Sequence, residues 1–392
     1  MEQKTNRRKG VLSMMDPVEA FARQLRRFRR EAGLTQRELG EILAYSPKAV
    51  SKWESGRALP PSHLMVALAR ALHTDLNSLF DCPEEPQFYL GIDGGGTKTD
   101  FALANGDGRL LRRLTKGPCN PTAQGVDSAL ELLESGISEV IGAIPPEQIS
   151  VFAGMAGGSG EPGRVLTERL QHRGFARVQA GGDYRNAVAA GLQGRDGLVV
   201  IMGTGSSVFS VKEGKVSRVG GYGYLFGDEG SGYAVGRDGV RAVLAAQDGS
   251  GSQTEITGLW QSEIGIGVWE YLPELYRQGR TAIAGLARLV VRAAEQGDGV
   301  ARQILEQNMA AVAHYIRAAL PENRIAPIPA VLVGGFVTAS YRLLRPMLDK
   351  HIGDDRVELS LLECRPVWGA LLLAGMPAYG KENSGDAENR DA

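Results

Sequence analysis

The chain has 392 residues, of which 43% are hydrophobic and 23% are charged, so it is long enough for two or three globular domains with substantial cores. Its net charge of −1 conceals an asymmetry: the first 80 residues carry 14 basic and 8 acidic side chains, and the remainder carry 30 and 37, which suggests two different partners. The three cysteines lack metal-ligand spacing and no apolar run is long enough to cross a bilayer. We therefore expect a cytoplasmic protein without disulfides, structural zinc or a membrane partner.

The amino-terminal region is predicted to be helical over residues 17–80, after a flexible basic segment at residues 1–16. A first helix has an apolar face formed, at spacings of four and three, by Phe21, Leu25 and Phe28. Thr35 and Glu38 have the spacing of a capping box at the start of a second helix. Ser46 is positioned to cap a third helix. This pattern predicts a small all-helical domain.

Residues 33–36 (Gly-Leu-Thr-Gln) and 50–56 (Val-Ser-Lys-Trp-Glu-Ser-Gly) resemble the Xre/Cro repressor-type helix-turn-helix family. In that family the third helix enters the major groove of double-stranded DNA, so the resemblance implies DNA contacts from Gln36, Pro47, Lys48 and Lys52. The alternative is a protein-interaction domain in which these lysines are simply solvated. Because this class of domain commonly binds paired half-sites, we also expect a homodimer.

A linker at residues 81–87 leads into alternating strands and helices. A three-strand meander is predicted over residues 88–116, and its first turn is Asp93-Gly94-Gly95-Gly96-Thr97-Lys98-Thr99. Glycines in such a turn let backbone N–H groups approach an anion, and the hydroxyl and lysine side chains complete a phosphate cradle. The spacing differs from that of the P-loop and of the dinucleotide fingerprint. We therefore predict a strand-to-strand hairpin.

The same order of elements begins again at residue 198, with a strand followed by Gly203-Thr204-Gly205-Ser206 and a second meander. In each half a meander is followed by helices and two further strands, and the second half contains extra helices. This pattern predicts an internal duplication, with lobes at residues 88–197 and 198–380 and a cleft between two mixed sheets. The tail at residues 381–392 is rich in polar residues and is predicted to be disordered.

The order of motifs from residue 88 to 378 resembles the sugar kinase, actin and chaperone ATPase superfamily, and within it the BadF/BadG/BcrA/BcrD ATPase family, which contains N-acetylglucosamine kinase. Besides the two glycine turns, the resemblance rests on residues 117–121, 157–158, 183–191, 220–232, 334–335 and 366–370. It implies an α/β fold of the duplicated ribonuclease H-like, two-lobed type, preceded by the helix-turn-helix domain. It also implies ATP and Mg²⁺ as cofactors.

Residue roles follow from the resemblance together with the needs of phosphoryl transfer. Asp183, between a predicted strand and a helix, is the candidate base, although a helix N-cap is the ordinary role of such an aspartate. Asp93 would hold magnesium through water. Phosphate and nucleotide contacts are expected from Gly94, Gly95, Gly96, Thr97, Lys98, Gly203, Thr204, Gly205, Ser206, Gly334 and Gly335. Sugar contacts are expected from Asn120, Thr204, Gly221, Tyr222 and Asp228.

The sequence thus predicts an ATP-dependent amino-sugar kinase, acting on N-acetylglucosamine or a relative such as N-acetylmuramic acid, with a DNA-binding head. One alternative is a sugar-sensing transcriptional regulator in which the kinase fold only binds ligand. Another is an ATPase activator of the 2-hydroxyacyl-CoA dehydratase type, which needs cysteines for a shared iron–sulfur cluster. The positions of Cys82, Cys119 and Cys364 disfavour that alternative.

Overall fold

A computed structural model describes residues 17–80, 86–320 and 327–377. The predicted basic segment, most of the predicted linker and the predicted tail lie outside these ranges. The chain divides into two compact units, residues 1–85 and residues 86–392.

Over its described residues, 17–80, the first unit has five α-helices around one apolar core: α1 (Pro17–Glu31), α2 (Gln36–Leu43), α3 (Pro47–Glu54), α4 (Met65–Ala71) and α5 (Leu76–Phe80). The predicted caps are present, since the Thr35 hydroxyl accepts from the Glu38 N–H at 3.1 Å and the Glu38 carboxylate accepts from the Thr35 N–H at 2.7 Å. The Ser46 hydroxyl caps α3 through the Ala49 N–H. The buried core includes Phe21, Leu25, Leu39, Val50, Trp53, Leu68 and Leu79.

The second unit contains two five-stranded sheets with the same topology. The first has the order β3-β2-β1-β4-β5, from β1 (Phe88–Gly94), β2 (Thr99–Asn105), β3 (Leu110–Lys116), β4 (Ile149–Met155) and β5 (Arg177–Gly181). The second has the order β10-β9-β6-β7-β8, from β6 (Gly197–Met202), β7 (Ser206–Lys212), β8 (Lys215–Val219), β9 (Ile328–Val333) and β10 (Val357–Leu361). In each sheet two antiparallel pairs form the meander and two parallel pairs follow. The predicted duplication is confirmed.

The helices of the second unit are distributed unequally between the halves. The first half contains α6 (Pro121–Gln124), α7 (Val126–Ile141), α8 (Glu161–His172) and α9 (Tyr184–Leu192). The second contains α10 (Gly232–Asp248), α11 (Glu255–Ile264), α12 (Val268–Gln278), α13 (Arg280–Gly285), α14 (Ala287–Glu295), α15 (Gly299–Ala319), α16 (Gly335–Ile352) and α17 (Val367–Leu373). Throughout the described ranges, no helix combines the length and apolarity required for a membrane span.

Helices α9 and α17 each follow the strands of one sheet and pack against the other. Leu192 and Ala187 of α9 belong to a core cluster with Val199 and Val331 of the second sheet. Ala370 and Leu371 of α17 belong to a cluster with the first sheet, where they lie among Tyr89, Ala102 and Phe152. The two helices also contact each other. This exchange joins the two halves into one unit.

Candidate functional site

The first glycine turn connects β1 and β2 as the predicted hairpin. The Gly95 N–H donates to the Lys98 carbonyl at 2.9 Å, and the carbonyl of Gly95 accepts from the Cys119 N–H at 3.0 Å. A Cβ at Gly94 would lie only 3.0 Å from the Cβ of Met155, so the backbone is closely supported from below. Gly96, Thr97 and Lys98 are exposed. The exposed residues 96–98 therefore form an open rim, and Gly94 below them is tightly packed.

Asp93 lies at the end of β1, opposite Asp100 of β2 in the sheet register. Its carboxylate accepts a hydrogen bond from the Asn186 side chain at 2.7 Å. The pKa of Asp93 is raised to about 7: burial makes the largest contribution, the carboxylates of Asp183 and Asp100 act in the same direction, and Asn186 and Lys98 oppose the shift. Asp93 is therefore a carboxylate whose charged form lacks sufficient local compensation.

Asp183 lies between β5 and α9, as predicted, and is the residue immediately before the helix. One carboxylate oxygen accepts from the Tyr184 N–H at 2.9 Å. Burial raises the pKa of Asp183, and bonds to the backbone oppose the shift. Asp183 thus makes a helix-start hydrogen bond, and its carboxylate also contributes to the raised pKa of Asp93. Both predicted carboxylates lie in one site.

Asn186, one turn into α9, was not identified from the sequence. Its side chain is fully buried, and its amide N–H₂ group donates to Asp93, to the Ile92 carbonyl at 3.1 Å and to the Gly154 carbonyl at 3.5 Å. Within the described residues its Oδ1 atom is buried without a hydrogen-bond partner. A Cβ at Gly154 would lie 2.3 Å from the Asn186 side chain. Glycine at 154 is therefore required for this contact.

Lys98 lies on the rim with its ammonium group 2.9 Å from the buried carboxylate of Asp100. Asp100 also accepts from the Thr115 hydroxyl at 2.5 Å, and Arg365 is 3.8 Å away. Although burial raises the pKa of Asp100, these partners lower it below its ordinary value. The Lys98 side chain remains 55% exposed, so this cation can contact a ligand from the rim.

The second glycine turn connects β6 and β7 and is supported by a neighbouring turn. The Gly203 carbonyl accepts from the Gly232 N–H at 2.8 Å, at the start of α10. Gly334 has φ of +129°, and a Cβ there would lie 2.6 Å from the Met202 backbone. The predicted residues Gly203, Gly334 and Gly335 thus lie together, where β6 and β9 end side by side. The next helix, α16, begins at Gly335.

Asp228 joins this second turn from the loop before α10. It is 3% exposed and has φ of +63°, an unusual conformation for an aspartate. Its carboxylate accepts from the Ser206 N–H at 3.3 Å and from Arg280 at 2.6 Å. Burial raises the pKa of Asp228, and Arg280 opposes the shift. Arg280 was not identified from the sequence.

The adjoining residue, Glu229, is also anchored. Its carboxylate accepts from the Tyr315 hydroxyl at 2.5 Å, and its carbonyl accepts from the Ser206 hydroxyl at 2.6 Å. Burial and the hydrogen bond to Glu229 raise the pKa of Tyr315 to about 12, so the phenol remains a donor. The acidic pair Asp228-Glu229 is therefore part of a fixed hydrogen-bonded network and not a solvated turn.

Three other predicted sugar-contact positions lie around these turns. Asn120 is partly buried and directly follows Cys119, which bonds to the first turn. Gly221 has φ of +71°, and a Cβ there would lie 2.6 Å from the Ser207 side chain. Tyr222 is 65% exposed in the segment leading to Asp228. Asn120 thus adjoins the first turn, and Gly221 adjoins the second.

The cysteines of the described ranges are not arranged as cluster ligands. Cys119 is buried, and burial raises the pKa of its thiol to about 11. Cys364 is exposed, and Cys82 lies outside the described residues. No group of three or more His, Cys, Asp or Glu side chains within the described residues is placed to hold a metal by itself.

In the amino-terminal unit, Pro47, Lys48 and Lys52 are exposed on α3. Gln36 is partly buried, and its amide donates to Glu54 at 2.8 Å. Glu54 is also bonded to Arg29 at 2.5 Å. Although burial raises the pKa of Glu54, Arg29 and Gln36 lower it below its ordinary value. Gln36 thus ties α2 to the buried end of α3, while the two lysines face solvent.

Comparisons with known proteins identify a domain family for each of the two units. The sequence model of the BadF/BadG/BcrA/BcrD ATPase family matches residues 90–374, and a helix-turn-helix domain model matches residues 20–79. An N-acetylmuramic acid/N-acetylglucosamine kinase of Clostridium acetobutylicum is 32% identical over 230 residues, covering 56% of this chain and 75% of that protein. An N-acetyl-D-glucosamine kinase of Dictyostelium discoideum is 31% identical, covering 74% of this chain and 98% of that protein.

Among solved structures, a Chromobacterium violaceum protein provisionally named as an N-acetylglucosamine kinase superposes with a TM-score of 0.62. It is 26% identical and covers 74% of this chain and 99% of its own. The similarity covers the two-sheet unit as a whole and agrees with the fold that the sequence predicts.

Proposed function

Because the chain belongs to the BadF/BadG/BcrA/BcrD ATPase family, we propose that its second unit transfers the γ-phosphoryl group of ATP to the 6-hydroxyl of N-acetylglucosamine or a related N-acetylhexosamine. The observation that carries the proposal is the pair of partly buried carboxylates Asp93 and Asp183, held together by α9 beside an open glycine turn. A ligand-binding sensor has no need of such a pair, because binding neutral hydroxyls does not require a base.

Asp183 acts as the base of this reaction. Its carboxylate accepts the proton of the sugar hydroxyl while the hydroxyl oxygen attacks the γ-phosphorus, and the bond from that phosphorus to the leaving oxygen of ADP breaks. Burial, which raises the pKa of Asp183, makes the carboxylate a stronger base. The hydrogen bond from Tyr184 fixes one carboxylate oxygen and leaves the other available.

The two glycine turns bind the nucleotide. Thr97 and Lys98 contact phosphate from the first rim. In the second turn, Gly203–Ser206, the backbone N–H groups of Thr204 and Gly205 contact it, because the Gly203 N–H donates to the Gly205 carbonyl and the Ser206 N–H donates to Asp228. Gly334 and Gly335 leave bare backbone against which adenosine lies. Thr204 and Asp228 bind sugar hydroxyls together with Asn120, and Gly221 with Tyr222 contacts the acetamido group.

A magnesium ion suits the first site. Asp93 supplies a hard oxygen donor, and the buried Oδ1 atom of Asn186, which has no hydrogen-bond partner among the described residues, can accept from a metal-bound water. When bound, the ion neutralises charge on the phosphates. Asp93 would hold it through water, consistent with the absence of a closed all-protein ligand set among the described residues.

The amino-terminal unit is a DNA-binding head. The exposed lysines of α3 are placed for contacts with bases or phosphates, and we propose that the protein binds paired half-sites as a homodimer. The two ligands of the whole protein, ATP in the second unit and DNA in the first, suit a cytoplasmic protein in which sugar phosphorylation and transcription are linked.

The deciding experiment measures ADP release with magnesium-ATP and a panel of N-acetylglucosamine, N-acetylmuramic acid, N-acetylmannosamine, glucosamine and glucose. We expect turnover with an N-acetylated sugar and a loss of about a hundredfold or more in Asp183→Asn. Asp298→Asn is the matched control, because Asp298 also caps a helix, α15, but lies outside the site. Binding of a sugar without turnover would instead support the sensor.

A further inference from the structure

Arg280 enters the second glycine turn from the part of the fold that is expanded in the second half. Two helices, α6 and α7, lie between β3 and β4, whereas six described helices, α10 to α15, lie between the equivalent strands β8 and β9. Arg280 is the first residue of α13, directly after Gly279, whose φ of +72° ends α12. The added helical segment therefore contributes a charged side chain to the site.

Helix α13 is fixed by backbone packing against α10. A Cβ at Gly236 of α10 would lie only 2.0 Å from the Ile283 carbonyl oxygen of α13. Such an approach is possible only because position 236 has no side chain. The start of α13, and with it the Arg280 side chain, is therefore held close to the loop that precedes α10.

The Arg280 guanidinium and the Ser206 backbone N–H each donate a hydrogen bond to a different oxygen of the Asp228 carboxylate. Arg280 donates to Oδ2 at 2.6 Å, and the Ser206 N–H donates to Oδ1 at 3.3 Å. A Cβ at Gly205 would lie 2.2 Å from the same guanidinium nitrogen. Glycine at 205 thus makes room for Arg280 within the turn, and the carboxylate plane is set from two sides.

The surroundings make this hydrogen bonding necessary. The Asp228 side chain is 5% exposed, and its charge lies beside that of Glu229. Asp228 is also held in a left-handed backbone conformation that an aspartate seldom adopts. Without a nearby cation, a buried carboxylate in this conformation would take up a proton or rotate out of its position. Arg280 supplies that cation.

Other contacts place Arg280 at the mouth of the site. Its guanidinium lies 5.9 Å from the ring centre of Tyr224, within the segment that joins Tyr222 to Asp228. Its Nε atom is buried without a hydrogen-bond partner among the described residues. The side chain is nevertheless 37% exposed. It therefore spans from the buried carboxylate to the loop of exposed aromatic residues.

We propose that Arg280 is a positioning residue for sugar recognition: it fixes the ionised Asp228 carboxylate in the orientation that accepts hydrogen bonds from the sugar hydroxyls. The proposal rests on the proposed function, in which Asp228 contacts the sugar. Arg280 acts through Asp228 and not on the transferred phosphoryl group. Its loss therefore affects the sugar and leaves the nucleotide largely unaffected.

The test compares Arg280→Met and Arg280→Lys with the wild type, using KM and kcat for sugar and for ATP. We expect the sugar kcat/KM to fall by about thirtyfold or more in Arg280→Met, because a buried carboxylate loses its partner. The lysine variant should recover part of this loss, since it restores charge without the planar guanidinium. KM for ATP should remain within about twofold in both variants.

Arg277→Met is the matched control, because Arg277 pairs with Glu274 on the exposed surface of α12 and lies three residues away. It should behave as the wild type. A thermal melt of each variant checks folding, and if Arg280→Met is unstable the comparison rests on Arg280→Lys. An Arg280→Lys enzyme with unchanged sugar kcat/KM would then contradict the proposal.

A double variant separates positioning from direct contact. In an Asp228→Asn background there is no carboxylate to hold, so Arg280→Met should cause little further loss of sugar kcat/KM. Additive losses, or a rise in KM for ATP in place of the sugar KM, would overturn the proposal and indicate a direct ligand contact. A wild type without turnover on any sugar would contradict the proposed function itself, and the inference with it.

Discussion

At the residue scale, burying two carboxylates close to each other in the candidate site lowers the stability of the folded protein. Asp93 and Asp183 are partly buried, each carboxylate lies within the electrostatic influence of the other, and Lys98 does not suffice to keep the pKa of Asp93 low. The hydrogen bond from Asn186 compensates only in part. Such a pair opposes folding at neutral pH, and it is expected where a cation or a ligand completes the site.

Replacing Asp93 with asparagine should therefore stabilise the protein at neutral pH. An aspartate whose pKa rises from 3.8 to about 7 on folding gives the folded state full benefit below pH 4 and loses it as the pH rises through 7. Asp93→Asn removes this dependence, so it should be more stable than the wild type at pH 8, by at most about 4 kcal/mol. Urea unfolding in EDTA measures the difference.

The same measurement at pH 4 provides the control, because the wild-type carboxyl is then protonated and the gap should close. Adding Mg²⁺ at pH 8 should stabilise the wild type more than Asp93→Asn. Equal stability of the two proteins at pH 8 would show that Asp93 is adequately compensated.

Asn186 offers a second prediction at this scale. Asn186→Asp preserves the side-chain shape but removes the N–H₂ donor to Asp93 and the Ile92 carbonyl, and it adds a third carboxylate. We expect turnover to fall by about a hundredfold or more and the Mg²⁺ concentration for half-maximal activity to change. A magnesium titration of ADP release measures both. Wild-type kinetics in this variant would exclude a role for Asn186 in holding Asp93.

Neither Asn186 nor Arg280 could be identified from the sequence, whereas the glycine turns could. A turn is a local feature, in which glycines directly follow an apolar strand. The Asn186–Asp93 contact joins residues 93 positions apart, and the Arg280–Asp228 contact joins residues 52 apart. Their roles arise from tertiary packing, which a single sequence does not encode in any local pattern.

At the element scale, the exchange of α9 and α17 between the two sheets governs the geometry of the candidate site. Both meanders and their parallel strands follow from alternation and turn chemistry, so their existence was predictable from the sequence. The placement of α17 on the first sheet was not, because an apolar helix indicates only that some face will be buried. The glycine pair Gly334-Gly335 is both a turn and a helix start, because α16 begins at Gly335.

Gly369 of α17 is the position where the packing of α17 against α9 is most sensitive to an added side chain. A Cβ there would lie 1.9 Å from the Asn186 carbonyl oxygen, which is backbone and has little room to move. We expect Gly369→Ala to destabilise the protein by about 1–3 kcal/mol or more and to lower turnover, because α9 carries Asp183 and Asn186. Chemical denaturation and ADP release measure the two effects.

Gly258→Ala is the matched control. Gly258 lies within α11, and apart from the backbone of that helix no atom of the described residues lies within 4 Å of the added methyl group. Alanine should stabilise this helix by up to about 1 kcal/mol. If both alanine variants behave alike, close packing between α9 and α17 does not limit stability.

At the scale of the whole molecule, charge is divided between a basic head and an acidic body. The exposed side chains of Lys48 and Lys52 lie one turn apart on α3. If these lysines neutralise DNA phosphates, their loss must reduce the release of counterions on binding. A measurement of DNA affinity therefore tests the function of the head separately from that of the body.

We predict that Lys48→Ala with Lys52→Ala weakens DNA binding and lowers the magnitude of the salt slope, log Kd against log salt, by about 2. Sugar-dependent ADP release should be unaffected. Lys212→Ala with Lys215→Ala removes the same charge from exposed positions on the second sheet and should leave the slope unchanged. Equal slopes for the two double variants would show that α3 does not contact phosphates.

The late position of α17 in the chain also sets an order of assembly during translation. The first sheet is complete in sequence by residue 181, yet one of its faces is covered only by a helix that starts at residue 367. On the ribosome, that face stays uncovered while nearly two hundred further residues are added. The small helical head, made first, can fold well before the body. A nascent chain therefore gains its helix-turn-helix head before the two-sheet body is complete.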